Sequence, residues 1–418
     1  MEFRRVVVTG LGAVTPLGNT VEELWNNLIN GVSGCEKITR YDCSKFKTRF
    51  ACQVKNFDTE KYGIDRKEKR KLDLYAQYAI AAATDAMEDS KLNLEQINLD
   101  KAGVVWASGI GGIETFLEEV RGFVTGDGTP RFSPFFIPKM ISDIASGHIS
   151  MKYGLRGPNY ATVSACASST NALIDSYWLI RHGKADIMVT GGSEAAINEA
   201  GIGGFNAMQA LSTNNEEYQS ASRPFCKTRD GFVMGEGGSA IILEELEHAK
   251  KRGAKIYAEI VGGGMSADAH HLTAPHPEGL GAINVMRNAL EDANMKPEEI
   301  DYVNVHGTAT PRGDIAETKA IVAVFGEHAY KLNISSTKSM HGHLLGAAGA
   351  LEASIVVLSI KNNIVPPTIN HKEQDPEIDD KLNLTFGKAQ KRVVNAGLSN
   401  TFGFGGHNSS VIFRKFVE

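Results

Sequence analysis

"RRVVVTGLG" (residues 4–12) and "KIYAEIVGGG" (255–264) decide the fold of this chain, because each opens the same succession of elements. A short β-branched run ending in glycines reads as a buried strand of an α/β protein. After 4–12 come a helical stretch ("YAQYAIAAATDAMED", 75–89), a strand ("AGVVWASGIGG", 102–112), the segment "ATVSACASSTNALIDSYWLI" (161–180) and another strand ("ADIMVTGGSEAA", 185–196). After 255–264 come "GAINVMRNALEDANM" (281–295), "DYVNVHGTAT" (301–310), "LNISSTKSMHGHLLGAAGALEASIVVLSI" (332–360) and "RVVNAGLSNTFGFGG" (392–406). Both helical stretches read as amphipathic. The halves share little identity but one order of elements, which predicts two similar α/β halves, 1–252 and 253–418, joined near "KKRGAKI" (250–256). "SACASSTNAL" and "SSTKSMHGHLLGAAGA" then hold equivalent places, each entering a helix from a strand. A pseudo-twofold axis would bring those helix starts together.

Composition narrows the function. The 418 residues are 42% hydrophobic, ample for a core, and the net charge of −5 argues against bulk binding to nucleic acid or anionic membrane. No apolar run looks long enough to span a bilayer, and no apolar leader precedes the first strand. Five cysteines (35, 43, 52, 166, 226) are an odd number without a CxxC pair, so neither a disulfide framework nor a zinc site is indicated. A reduced, cytoplasmic protein is expected.

Cys166 stands out for its small neighbours. "ATVSA" reads as a strand and "SSTNALIDSYWLIRHG" as a helix, so the thiol sits near a helix N-terminus, where free N–H groups and the dipole would favour thiolate and lower its pKa. Small flanking residues would let a substrate carbonyl reach those N–H groups, as in an oxyanion hole. A small buried cysteine filling space is the competing reading. "NVHGTATPRGD" places His306 at a strand end, where side chains project into a cleft, and "SSTKSMHGHLLGAAGALEA" supplies Lys338, His341 and His343 ahead of a small-residue helix. "TGLGAVTPLG" has the first two glycines of a dinucleotide fingerprint but Thr15 for the third, and a Gly-rich strand-to-helix turn explains it. "DAHHLTAPH" (268–276) matches no closed zinc spacing.

Together, "SACASS", "VHGTATPRGD", "SSTKSMHGHLLGAAGALE" and "NTFGFGGHN" resemble the β-ketoacyl-acyl-carrier-protein synthases, the elongating condensing enzymes of fatty-acid synthesis, over nearly the whole chain. "TGLGAVTPLGN" and "RKEKRK" look closer to the type II than to the type I synthases. The resemblance implies a thiolase-like, duplicated α-β-α-β-α layered fold. It implies that Cys166 carries the acyl chain as a thioester, with the backbone N–H groups of Cys166 and Phe402 as oxyanion hole. His306 and His343 would hold the malonyl thioester oxygen during decarboxylation, and Lys338, paired with Glu352, would keep them neutral. Thr308 and Thr310 would bind the pantetheine arm, Phe402 would gate the acyl pocket, and Asp268 and His271 would order the gate. Ile110 and Phe136 would shape the acyl pocket, and Lys67, Arg70 and Lys71, with Arg131, would dock an acidic acyl-carrier protein. No metal is implied, nor any cofactor beyond the carrier's phosphopantetheine; a homodimer is implied.

This sequence departs from the pattern at Gln209, where a basic residue is common, at Cys226 for Asp, and at His341 and His407 for Thr. His343 rather than His341 is expected to act, since residues two apart on a turn cannot both face one point. A relative that only decarboxylates malonyl groups would not be expected to retain Cys166, nor a non-catalytic carrier-binding scaffold to retain Cys166, Lys338, His306 and His343 together.

Overall fold

The duplication read from the sequence is written in the order of one ten-stranded sheet. A computed structural model describes residues 3–418. The first half contributes β1 (Val6–Val14), β2 (Ala102–Ala107), β3 (Asn159–Thr162), β4 (Ile187–Glu194) and β5 (Gly237–Glu245), side by side as β1-β5-β4-β2-β3. The second contributes β6 (Ala258–Ala267), β7 (Tyr302–Asn304), β8 (Asn333–Ser335), β9 (Ala396–Gly403) and β10 (His407–Arg414), as β6-β10-β9-β7-β8. Each strand of one half thus has its counterpart five numbers on. The halves join where β1 and β6 pair antiparallel, Val6 opposite Ile260 and Val8 opposite Ala258. β5 and β10, antiparallel to both neighbours, complete each half and were not part of the repeat as the sequence displayed it.

Six helices complete the layers: α1 (Leu74–Ser90), α2 (Ile144–Tyr153), α3 (Ser168–Arg181), α4 (Leu280–Asp292), α5 (Pro311–Phe325) and α6 (Ala348–Asn362). Helices α1 and α2 pack with the first half in one core, α4 and α5 with the second in another, and α3 and α6 share a central core with strands of both. The two halves of the sheet form two layers with α3 and α6 between them, an α-β-α-β-α sandwich in which each helix buries apolar surface against a sheet face.

The glycines explain how closely those layers fit. A Cβ on Gly10 would lie 2.3 Å from Ala86 O and one on Gly12 2.0 Å from Ala82 O, so the backbone of α1 rests directly on β1. Gly262 and Gly264 of β6 repeat this against α4, with Ala289 O and Val285 O at 2.5 and 2.3 Å. "TGLGAV" is therefore strand interior packed under a helix, neither a phosphate loop nor the strand-to-helix turn the sequence suggested. For the same reason α1 is not amphipathic: every residue from Tyr75 to Thr84 is buried. Helix α4 keeps a helical period of burial, at Ala282, Val285, Met286, Ala289 and Leu290.

One expectation needs correcting. The window Leu345–Asn362 is long and apolar enough to cross a membrane by composition, yet 89% of it is buried inside the fold. It comprises the central helix α6, whose Leu351, Ile355, Val356 and Leu358 each contribute about 1.5–3 kcal/mol by burial.

Candidate active site

The strand leading to Cys166 ends at Thr162, earlier than "ATVSA" suggested, and the chain then folds into a tight elbow. Ala165 adopts φ 51°, a left-handed conformation uncommon for a residue with a Cβ. Hydrogen bonds hold it there: Ser164 N–H donates to Ser168 Oγ (2.8 Å), Ser168 Oγ–H to Ala165 O (2.6 Å) and Ala167 N–H to Ser164 O (3.1 Å). Cys166 is thereby delivered two residues ahead of α3. The turn between β9 and β10 lies on this elbow so closely that a Cβ on Gly403 would be 2.7 Å from Ser164 O and 3.1 Å from Cys166 N.

That contact corrects the oxyanion assignment. The amide donating to the Cys166 sulfur is that of Phe404, in the turn. Phe402 is still within β9, paired in register with Asn408, while its ring lies 5.7 Å from that of His306. Both phenylalanines line the cavity above the sulfur.

The second half brings the histidines. His343 Nε2 lies 3.0 Å from Cys166 Sγ, and its backbone is clamped on both sides: its N–H donates to Val233 O (2.8 Å) and its carbonyl accepts from Gly235 N–H (2.9 Å). The His306 ring stands edge-on to His343 with centroids 5.3 Å apart. Its turn is held by Glu317, which accepts from the N–H groups of His306 (2.9 Å) and Gly307 (2.8 Å). Burial pushes the Glu317 carboxyl up to about 7. Glu317 escaped the sequence reading; its one signal was an acid on the buried face of α5.

The Nδ1 atoms of His306 and His343 are buried without a partner. A bare lone pair is cheaper to bury than an orphaned N–H, so each proton belongs on Nε2. Burial first, then the charge of Lys338, hold both imidazoles far below the ordinary histidine range, so both are neutral. Lys338 is buried and ion-paired with Glu352, whose carboxyl burial raises to about 7 against the pull of that lysine. The thiol reverses its sequence expectation. Burial pushes Cys166 up to about 12, outweighing the Lys338 charge and the Phe404 N–H. Among the described residues, Cys166, His306 and His343 form the one trio of ligand-type atoms within 4.8 Å of one another. The ammonium of Lys338 beside them disfavours a divalent cation.

A cavity of about 660 Å³ opens over this centre. Thr308 and Thr310 line it with hydroxyls 3.2 Å apart. Asp268 lines it too, accepting from Asn408 Nδ2 (2.8 Å) and donating its N–H to Gly406 O (3.0 Å), which ties its loop to the gating turn. His271 does not reach the cavity; its Nδ1 accepts from Thr273 and Ala274 N–H groups and shapes its own exposed loop. Ile110 and Phe136 do not line it either: Ile110 lies in a band of exposed apolar side chains with Phe116, Phe132, Phe135 and Ile137, next to half-buried Phe136. Within one chain that wall faces outward.

Lys67 lies within a short capped turn, Arg66–Lys69, away from the cavity lining, and Arg70 and Lys71 follow it, with Lys71 bonded to Glu68 (2.6 Å); exposed Arg131 pairs with Asp127 (3.2 Å). The cation on the lining is Arg312, which the sequence reading passed over, and Gln209 is there as well. Cys226 lies off the cavity, and exposed His407 packs on Gly405 of the gating turn.

A duplicated, thiolase-like fold with a cysteine and two histidines converging between its halves is that of the ketosynthase-type condensing enzymes. Residues 3–249 match the model of the beta-ketoacyl synthase N-terminal domain and residues 257–372 that of its C-terminal domain, and the chain belongs to this family. It is 47% identical over 416 residues to a 3-oxoacyl-[acyl-carrier-protein] synthase 2 of Synechocystis sp., covering 100% of this chain and 99% of the relative. It is 48% identical over 418 residues to a protein of the same name from Coxiella burnetii, with 100% of each covered. Among solved structures, a beta-ketoacyl synthase from Burkholderia phymatum superposes with a TM-score of 0.91 at 36% identity, over 99% of this chain and 100% of that one. A type II PKS ketosynthase in complex with its acyl-carrier protein and bound to the hexaketide gives the same TM-score and identity, with 100% of both chains covered.

Proposed function

We propose that this protein extends acyl chains by two carbons through decarboxylative condensation with malonyl-acyl-carrier protein, as a type II 3-oxoacyl synthase. The observation that carries the reading is Cys166 Sγ, 3.0 Å from His343 Nε2 with His306 alongside, on the wall of a cavity large enough for a pantetheine arm.

In the first half-reaction the sulfur of Cys166 attacks the acyl thioester carbonyl. The oxyanion is held by the N–H groups of Cys166 and Phe404, the thiol proton leaves on the departing carrier sulfur, and an acyl-cysteine remains. In the second, malonyl-carrier protein loses CO2 and the electron pair of the broken bond becomes an enolate. Its oxygen accepts from Nε2–H of both His306 and His343, each worth about 100- to 1000-fold in rate. Neutral imidazoles suit this role, because they donate without surrendering a proton. The enolate carbon attacks the acyl-cysteine, and the sulfur leaves and takes up a proton from solvent, its own having departed with the first carrier.

Thr308 and Thr310 bind the pantetheine arm, and Phe402 and Phe404 gate the acyl side. The basic turn at Lys67, Arg70 and Lys71 docks the acidic carrier, with Arg131 and Arg312. The exposed apolar band at Phe116, Phe132, Phe135 and Ile137 closes against a second copy, which completes the acyl pocket around Ile110 and Phe136. The enzyme works in the cytoplasm without a further cofactor. Intact-protein mass spectrometry with a C12–C16 acyl-carrier protein tests the reading. An adduct on Cys166 that discharges on adding malonyl-carrier protein to a product two carbons longer is expected. Malonyl consumption with no adduct would replace it with a decarboxylase.

A further inference from the structure

We propose that His341, fully buried and turned away from the substrate cavity, is a positioning residue that clasps together the flanks of Lys338 and His343. The inference rests on the condensing reading above and goes beyond it. Lys338 opens a four-residue helical turn that ends at His341; Gly342 follows in the left-handed region (φ 72°), and His343 comes next. The imidazole of His341 spans this turn. Its Nδ1–H donates to the carbonyl of Gly342 (2.7 Å), the residue before His343, and its Nε2 accepts from the hydroxyl of Thr337 (3.0 Å), the residue before Lys338.

Since a carbonyl can only accept, the proton of His341 must lie on Nδ1, which leaves Nε2 as the acceptor for Thr337 Oγ1–H. That hydroxyl in turn accepts from Asn304 Nδ2 (3.2 Å), two residues before His306. One hydrogen-bonded line therefore runs from the His306 strand, through the start of the Lys338 turn, to the peptide that carries His343. Every donor in it has an acceptor, and the one buried atom left unpaired is the acceptor Asn304 Oδ1, at the end of the line away from His341; paired donors let a buried polar network hold its surroundings. The clasp also explains why two histidines two residues apart behave differently. His341 uses both ring nitrogens on backbone and hydroxyl partners, while His343 keeps Nε2 for the sulfur and leaves Nδ1 bare. Burial and the Lys338 charge push His341 down to about 3, so the clasp persists at any working pH.

The two half-reactions depend unequally on this geometry. Acyl transfer relies on amides at the Cys166 elbow and the gating turn. Malonyl decarboxylation needs the two Nε2–H groups aimed at one oxygen, and a small misplacement of one is costly. The test uses the full-length enzyme and H341L, which keeps similar bulk without polar atoms, T337V, which removes the hydroxyl at the other end, the double variant, and H341N, which keeps a donor near Nδ1. Acylation of Cys166, CO2 release from malonyl-carrier protein and thermal unfolding are each measured.

The decarboxylation kcat should fall about ten- to hundredfold in both single variants, with KM for malonyl-carrier protein and the acylation rate within about threefold. The double variant should be no slower than the slower single, and H341N should recover part of the loss. Unchanged decarboxylation, equal loss of both half-reactions in step with stability, or additive losses in the double would each overturn the clasp. If H341L does not fold, T337V carries the test, since it exchanges one hydroxyl for a methyl. Failure of the underlying reading would show earlier, as a wild-type enzyme that is neither acylated nor releases CO2.

Discussion

The two helices that meet at the centre of the molecule begin alike and are put to opposite uses. Three residues ahead of α3, Ala165 has φ 51°; three ahead of α6, Leu345 has φ 50°. Their N-caps match as well, Ala167 at (−82°, −5°) and Ala347 at (−88°, −10°). On this superposition Cys166 corresponds to Gly346. The Gly346 amide donates to Glu194 (2.9 Å), a buried carboxylate that also accepts from Gly109 N–H (2.8 Å), Ile110 N–H (3.2 Å) and Ser108 Oγ–H (2.9 Å). A Cβ on Gly346 would lie 2.2 Å from Gly109 N, so no side chain fits there. The positive end of one helix is thus filled by the protein's own anion, while the other opens on a cavity with a thiol in place of the glycine. Duplication supplied two anion-accepting elbows; plugging one left a single reaction centre.

The largest break in that comparison is to empty the open elbow. Cys166→Ala should abolish the acyl adduct and lower condensation by about 10⁴-fold or more, since the carrier of the acyl group is lost. Decarboxylation of malonyl-carrier protein should persist, because its donors come from the other half. Loss of decarboxylation to the same degree would mean that His306 and His343 do not form a separate donor pair.

A smaller effect, roughly a hundredfold, weighs burial against the helix end. With the thiol pushed up to about 12, the thiolate fraction grows tenfold for each pH unit across the neutral range. Alkylation of Cys166 by iodoacetamide should therefore rise about a hundredfold from pH 7 to pH 9 without a plateau. A plateau below pH 8 would show that the helix end outweighs burial. The sign of the linkage follows: a thiol raised in the folded state lowers stability as pH climbs from its ordinary value toward 12.

That reversal shows what a sequence can and cannot disclose. The succession of strands and helices was readable because buried strands and helix periods leave local signatures, and so were Cys166, His306, Lys338 and His343, which the structure brings together from three segments. The position of Cys166 near a helix start was readable too, but its depth was not, and depth is what moves the thiol. Phe402 and Phe404 are two aromatics in one glycine-rich string. Only the packing of the gating turn on the Cys166 elbow shows which of their amides reaches the sulfur. Glu194 and Glu317 are acids in apolar surroundings whose partners are backbone amides, and amides have no letter in a sequence. Ile110 and Phe136 lie off the cavity, and an apolar letter does not say which wall it will line.

The smallest effect probes the plugged elbow. Glu194→Gln keeps the shape but replaces one acceptor oxygen with an NH2 group, which must face an N–H or O–H that it cannot accept from. Four donors then compete for one oxygen, and the fold should lose about 2–3 kcal/mol, read as a shifted urea midpoint with an unchanged slope. The Glu194 charge is also among the groups that raise the Cys166 thiol, so removing it should make Cys166 alkylate somewhat faster at pH 7. A less stable protein with a more reactive cysteine is the signature of an anion that serves one helix end while restraining the other. The two ends touch, Ala350 N–H donating to Ser169 Oγ at 2.9 Å, so loosened packing offers a rival route by which the variant could change the thiol. Loosening would disorder the elbow and slow acyl transfer along with the loss of stability. Faster alkylation with acyl transfer preserved would assign the effect to charge; slower alkylation would show that the elbows are coupled through packing and that the plug restrains nothing electrostatically.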